Sequence, residues 1–144
     1  MINRSHMCTL GALITMAAVI LVNSLGVGAT KVEGPQLAHM VYFKLKDSSP
    51  ASRAKLTAAC KLFLSNHPGT LYFGTGTVAG DLNLEINDRD FDVSLHLVFD
   101  SKEAHDKYQQ HPRHLKFIEE NKDNWEKVRV FDSYLSPALA APAG

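Results

Sequence analysis

Two segments of this 144-residue chain alternate between apolar and polar residues, and a helix-start signal follows each of them. In the first segment, residues 37–46, one face carries His39, Val41, Phe43 and Leu45. In the second segment, residues 91–99, one face carries Phe91, Val93, Leu95, Leu97 and Phe99. Because a period of two fits a strand with one buried face, the chain must build a sheet that is covered on one side.

The helix-start signals differ between the two segments. After the first strand, Ser49 is predicted as the N-cap and Pro50 as the first helical residue. After the second strand, Asp100 is predicted as the N-cap, with Glu103 reaching back in a capping box. Apolar residues at helical spacing follow both signals. The second helix is expected to break at Pro112 and to continue afterwards.

Two further segments, residues 70–78 and 128–135, are rich in Thr, Tyr, Phe and Val and are predicted as strands. The order strand, helix, strand, strand, helix, strand predicts an α+β, ferredoxin-like βαββαβ fold. Its antiparallel four-stranded sheet would have helices on one face.

Gly74, Gly76 and Gly80 are not expected to form a phosphate loop, because neither a helix nor a Lys-Ser/Thr pair follows them.

The uncovered sheet face is predicted to carry apolar side chains: Met40, Tyr42, Val98 and Phe131. A patch of this kind indicates a protein interface. A second copy of the chain, packed sheet to sheet, would cover it, so we expect a homodimer.

The N-terminus is predicted as a signal peptide, residues 1–29. Arg4 precedes an apolar run, Cys8–Val22, and Val27 and Ala29 are small enough for a cleavage site. The alternative is an uncleaved anchor, although this run is shorter than the roughly 20 residues that span a bilayer. We therefore expect an exported protein without membrane attachment after cleavage. Residues 30–36 are predicted as a linker and 136–144 as a flexible tail.

Composition excludes several classes of protein. Fifteen basic residues balance fifteen acidic ones, so no nucleic-acid partner is expected. Two cysteines are too few for a disulfide scaffold or a thiolate zinc site.

The most unusual local pattern combines Tyr108, His111, Pro112 and His114, with His39 on the strand that they should face. A His and a Tyr can form an acid–base pair for proton abstraction beside a carbonyl. The alternative is structural: a His before a Pro often caps a helix break, which is the role expected for His111. A metal site from His39, His111 and His114 is not expected, because it lacks a carboxylate or thiolate set. Three further histidines are interpreted as solvated or loop-capping: His67, His96 and His105.

Several motifs together make the sequence recognisable. They are the run His39–Lys46, the run Phe99–Ala104, the Tyr-x-x-His-Pro-x-His pattern of 108–114, Trp125–Lys127 and Val130–Asp132. With these motifs, residues 37–135 resemble the stress-responsive A/B barrel (Dabb) family. The resemblance implies a dimeric α+β barrel made of two ferredoxin-like units.

The family includes a plant polyketide cyclase that works without a cofactor. By this resemblance, Tyr108 and His114 are the candidate catalytic residues and no cofactor or metal is expected. The candidate substrate-binding residues are His39, Val41, Phe43, Phe117 and Trp125. The implied ligand is a small apolar or aromatic carbonyl compound, with cyclase-like or lyase-like chemistry if the protein is an enzyme. The alternatives are a non-catalytic stress or structural dimer and a haem- or metal-binding barrel.

Overall fold

The computed structural model describes residues 34–136, which form four strands and three helices. The strands are β1 (Gln36–Leu45), β2 (Thr70–Thr77), β3 (Val93–Phe99) and β4 (Trp125–Leu135). The helices are α1 (Pro50–Leu64), α2 (Lys102–Gln110) and α3 (Pro112–Asn121), and a 3₁₀ turn, Lys122–Asn124, follows α3. The predicted signal peptide, residues 30–33 of the predicted linker and residues 137–144 of the predicted tail lie outside the described residues.

The four strands form one antiparallel sheet in the order β2-β3-β1-β4. Each helical segment connects two strands that are not neighbours, which is the ferredoxin-like arrangement. The predicted α+β fold class is therefore confirmed. Because β1 lies in the centre, His39 is opposite Leu97 of β3 on one side and opposite Asp132 of β4 on the other.

The helices cover one face of the sheet, and the core lies between the two layers. Alternate residues of β1 and β3 point into it, as their period of two predicts. The core is completed by one apolar stripe from each helix, with these buried members: Leu56, Cys60, Leu64, Ala104, Tyr108 and Phe117. Burial raises the pKa of the Cys60 thiol to about 12, so this cysteine is a packing residue as the sequence suggests.

The helix ends follow local side-chain chemistry. Ser49 caps α1, as predicted, and accepts a hydrogen bond from the Ser52 N–H. The predicted Asp100 cap of α2 is wrong, because Ser101 is the cap and accepts from the Ala104 N–H. The helix starts one residue later than predicted, which places the Ser101 hydroxyl at capping distance. Gly69 has a φ of +79° and lies against Ala104, where a larger residue would collide.

Two further differences concern strand ends. Phe91 was predicted on the covered face, but β3 starts only at Val93, and the Phe91 ring packs on Tyr42 on the open face. β4 starts at Trp125, three residues earlier than predicted, because Trp125 pairs with Leu45. Its next residues, Glu126 and Lys127, are both polar, so this end of the strand does not alternate and cannot be recognised from sequence.

Asp92 is a buried acidic residue just before β3. The alternation of apolar and polar residues in the sequence predicts it on the open face of the sheet, yet it is 1% exposed. Its carboxylate accepts hydrogen bonds from the Leu45 N–H, the Ser48 hydroxyl and the Arg53 guanidinium. This carboxylate therefore ties the end of β1 to the start of α1.

The open face of the sheet carries Met40, Tyr42 and Phe131 around a shallow depression of about 330 Å³. Phe131 is 54% exposed.

Every helix within residues 34–136 is too short or too polar to span a bilayer.

Candidate functional site

A second cavity, of about 210 Å³, lies between the covered face of the sheet and the helices α2 and α3. All seven residues singled out from the sequence line it: Tyr108, His114, His39, Val41, Phe43, Phe117 and Trp125. They come from four different elements of the fold. The structure therefore brings together a set that the chain separates by up to 86 positions, from 39 to 125.

Tyr108 reaches the cavity from the last turns of α2. Its ring lies 4.6 Å from the His114 ring and 6.0 Å from the His39 ring, between ring centroids. Its hydroxyl is buried and has no hydrogen-bond partner among the described residues. Burial, together with the nearby Cys60, raises the pKa of Tyr108, so the phenol remains protonated and can donate a hydrogen bond.

His114 lies in the first turn of α3, just past the break at Pro112. Its Nδ1 is 2.9 Å from the Gln109 carbonyl oxygen. A carbonyl only accepts, so Nδ1 must carry the proton and Nε2 is left as the basic nitrogen. Burial lowers the pKa of His114, against the smaller opposing effect of this hydrogen bond. The imidazole is therefore neutral at pH 7 and able to accept a proton.

His39 is held from behind by a carboxylate. Its Nδ1 donates to Asp132 Oδ1 at 2.6 Å, which orients the ring and fixes its tautomer. Burial lowers the pKa of His39 and outweighs the hydrogen bond and the charge of Asp132, which raise it. The contact follows from the pairing of β1 with β4, because these two residues are directly opposite.

His111 has the structural role expected for it. It ends α2 and caps α3, and its Nδ1 accepts a hydrogen bond from the Arg113 N–H at 3.1 Å. Its ring packs on His67, 4.6 Å away between centroids. His111 is outside the lining of the cavity, so it is not part of the same cluster as His114.

The indole of Trp125 closes the other end of the cavity. Its ring centroid lies 5.2 Å from that of Phe43 and 5.8 Å from that of Phe117. Its Nε1 is a second buried donor without a partner among the described residues. The cavity is thus mostly apolar, and its wall holds the donors of Tyr108 and Trp125 together with two histidines, His114 and His39, whose Nε2 atoms are basic.

Comparison with known proteins agrees with this geometry. The family model of the stress-responsive A/B barrel domain matches residues 37–135. The chain belongs to this family. No curated protein sequence matches it.

Several solved structures share the fold of this A/B barrel domain. A Dabb family protein from Mesorhizobium loti is 22% identical, with a TM-score of 0.58, and the match covers 77% of this chain and 100% of that one. A hydroxynitrile lyase from Passiflora edulis is 20% identical, with a TM-score of 0.59 and coverage of 74% and 98%. A dimeric ferredoxin-like protein of unknown function from Thermobifida fusca is 16% identical, with a TM-score of 0.61 and coverage of 72% and 93%.

Sequence reasoning missed two residues beside the cavity of this A/B barrel domain. Asp132 was not singled out, and the interpretation of His105 as a solvated or loop-capping residue is wrong, because its side chain is only 14% exposed. His67 is 4% exposed beneath Tyr108 and is therefore not solvated. Its Nε2 lies 2.9 Å from the Phe63 carbonyl oxygen at the end of α1, which agrees with the capping role. Only the pairing of β1 with β4 reveals the position of Asp132. Only the packing of α2 on the sheet reveals that of His105.

Proposed function

We propose that this protein is an exported, dimeric A/B barrel domain that binds a small apolar or aromatic carbonyl compound in the 210 Å³ cavity. Tyr108 and His114 then act on the ligand as a cofactor-free acid–base pair. One observation carries the proposal: a buried phenol without a partner among residues 34–136 lies 4.6 Å, between ring centroids, from an imidazole that carries its proton on Nδ1 and leaves Nε2 as the basic nitrogen.

The lining of the cavity supports this class of ligand. Val41, Phe43, Phe117 and Trp125 supply apolar and aromatic surface, which suits a hydrocarbon or aromatic body. The cavity is smaller than the roughly 300–1,000 Å³ of sites for drug-sized molecules, so a single-ring compound fits better than a larger one. The unpartnered hydroxyl of Tyr108 requires an acceptor, and a carbonyl oxygen supplies one.

The chemistry follows from the two protonation states. The neutral Tyr108 donates a hydrogen bond to the carbonyl oxygen and stabilises the negative charge that develops there. His114 Nε2 removes a proton from the carbon beside the carbonyl, and the electron pair of the broken C–H bond moves into the enolate. His39, oriented by Asp132, binds a second polar group of the ligand. A hydroxynitrile lyase has the same fold, so the fold carries an enzyme in at least one other protein.

Exchange of α-protons tests the acid–base pair directly. Acetophenone in D₂O loses its methyl proton signal when a base exchanges those protons, and NMR follows the loss. We expect the protein to accelerate exchange, and His114→Ala to lower the rate by about 10²–10⁴, the usual contribution of a positioned base. Tyr108→Phe removes only the hydroxyl and should lower the rate as well.

His111→Ala is the matched control, because His111 lies three residues from His114 but outside the cavity lining. It should retain the exchange rate. A wild-type rate in His114→Ala would refute the catalytic role. If acetophenone and benzaldehyde also fail to raise the melting temperature, ligand binding is refuted and a non-catalytic dimer is the better interpretation.

The homodimer is the second part of the proposal. Met40, Tyr42 and Phe131 expose an apolar patch on the open face, and a structurally similar protein is described as dimeric. Sedimentation should give roughly twice the mass of the mature chain. Tyr42→Asp should dissociate the dimer, because an unpaired carboxylate would be buried in the interface. A wild-type monomer at micromolar concentration would contradict this.

Export is the third part and is supported by the sequence alone. Arg4, the apolar run Cys8–Val22 and the small residues Val27 and Ala29 have the order of a cleavable signal. N-terminal sequencing of native protein should start near Thr30. An intact Met1 on cytoplasmic protein would contradict export.

A further inference from the structure

Three potential metal ligands meet beside the cavity, and each comes from a different element. They are His39 of β1, His105 of α2 and Asp132 of β4. One ligand atom from each lies within 4.8 Å of those of the other two. The ring centroids of the two histidines are 5.1 Å apart. Two imidazoles and one carboxylate converge here although they are distant in sequence.

We propose that His39, His105 and Asp132 bind one divalent transition-metal ion per chain, of the zinc class. This site differs from the set His39, His111 and His114, which was not expected from the sequence for lack of a carboxylate or thiolate, because Asp132 supplies a carboxylate. The inference does not rest on the proposed acid–base chemistry.

The chemistry of the three groups selects the ion. Imidazole nitrogen suits Zn²⁺, Co²⁺, Ni²⁺ and Cu²⁺, whereas Mg²⁺ and Ca²⁺ prefer sites made of oxygen. A tetrahedral zinc ion with bonds of about 2.0–2.2 Å holds its ligand atoms roughly 3.3 Å apart. Ligand atoms of the trio that lie up to 4.8 Å apart must therefore approach by at most about 1.5 Å. His39 Nδ1 and Asp132 Oδ1 already share a hydrogen bond of 2.6 Å, which the ion would replace. The Asp132 carboxylate is 48% exposed, so it can rotate to direct an oxygen at the ion.

The surroundings orient the ligands. The His105 ring is contacted on Nε2 by the Gln109 amide at 3.1 Å and on Nδ1 by the Asp106 carboxylate at 3.4 Å. One of these partners holds the ring when the other nitrogen binds the ion, as is usual for metal-bound histidines. His39 is 4% exposed and Asp132 is 48% exposed. The ion would therefore be buried on the side of His39 and open to solvent on the side of Asp132. The solvent side leaves room for water as a further ligand.

Calorimetric titration of the purified protein with Zn²⁺ tests the site. We expect one equivalent per chain. His105→Ala and Asp132→Asn should each weaken binding by at least about 100-fold, since loss of a partner that only orients a ligand already costs about 10–100-fold. His96→Gln is the matched control, because His96 lies on β3 beside Met40 and outside the trio. It should bind Zn²⁺ like the wild type.

Co²⁺ gives a second readout that does not depend on activity. Its visible bands report a four- or five-coordinate site and should be lost in His105→Ala. Two results would overturn the site: a stoichiometry well below one, or wild-type affinity in both His105→Ala and Asp132→Asn. Melting curves of the metal-free variants show whether each is folded. His105→Ala keeps Tyr108 and His114, so α-proton exchange by metal-free protein tests the acid–base pair separately.

Discussion

On the face of the sheet that the helices cover, Val41, Leu95 and Leu97 are at most 5% exposed, whereas Phe131 on the open face is 54% exposed. Both faces are built by the same strands, because successive side chains point to opposite sides. The covered face finds its packing partners within the chain. The open face carries comparable apolar groups, and no helix among residues 34–136 covers them.

The histidines on the two sides of the sheet also differ in how deeply they are buried. On the side of the sheet that the helices cover, three histidines from β1, the loop after α1 and α3 are each less than 9% exposed and hydrogen-bonded to oxygen atoms: His39, His67 and His114. His96 on the open face is half-buried beneath Tyr42. The chain therefore places its candidate chemistry where its own helices exclude water, and leaves the other face to association.

The largest expected effect compares one Phe from each face. Phe99→Ala should lower the free energy of unfolding by about 3–5 kcal/mol, because Phe99 is fully buried and its loss creates a cavity. Phe131→Ala should cost much less in dilute protein, and its cost should rise with protein concentration because it acts through the dimer. Urea denaturation at two concentrations measures both. Equal costs at low concentration would contradict the distinction between the faces.

The next effect compares one carboxylate from each face. Asp92→Ala leaves the Leu45 N–H, Ser48 and Arg53 without their acceptor, and we expect a loss of about 1–3 kcal/mol. Asp88→Ala removes an exposed pair with Arg129 and should not change stability measurably. Chemical denaturation of the two variants gives the comparison.

The same carboxylate predicts acid behaviour. Burial raises the pKa of Asp92, but the hydrogen bonds from the Leu45 N–H and Ser48 and the charge of Lys44 outweigh it, so the pKa is lowered overall. Its stabilisation is present above the unfolded value of about 3.9 and is lost as the pH falls through the folded value. The stability gap between wild type and Asp92→Ala should therefore close in strong acid. A gap that stays constant with pH would count against this role.

A smaller effect is expected at the helix break. His111→Ala should cost about 1 kcal/mol, as for a lost helix cap, because the Arg113 N–H loses its acceptor. His111→Asn keeps an acceptor at this position and should recover part of the loss. Thermal melting of the three proteins measures it, and a loss as large as that of Phe99→Ala would mean that His111 is part of the core.

Mild acid should produce the smallest change. Burial lowers the pKa of His67 and of His114. Below the unfolded value of about 6.5 the unfolded chain binds protons that the folded chain does not, so stability should fall as the pH drops. Melting temperatures in EDTA at pH 7.5 and 5.5 test this. A higher melting temperature at pH 5.5 would show that these rings are charged in the folded protein.

Much of the fold could be predicted because its signals are local. The alternation of residues 37–46 and the Ser49–Pro50 start need only neighbouring residues to be recognised, and the structure agrees with both. The errors fall where local signals compete or end. Asp100 and Ser101 are both good caps, and the choice depends on where the helix packs. Phe91 and Asp92 lie before the strand starts, where a period of two no longer applies.

The sequence by itself determined the order of strands and helices, the covered face of β1 and the positions of Tyr108, His111 and His114 around Pro112, because these depend on spacing along the chain. Only the tertiary structure decided that His39 meets Asp132 and His105. The register of β1 against β4 and the packing of α2 bring these groups together from 93 and 66 positions away. Side-chain contacts over such separations depend on strand pairing and helix packing, and neither is written in any local pattern of residues.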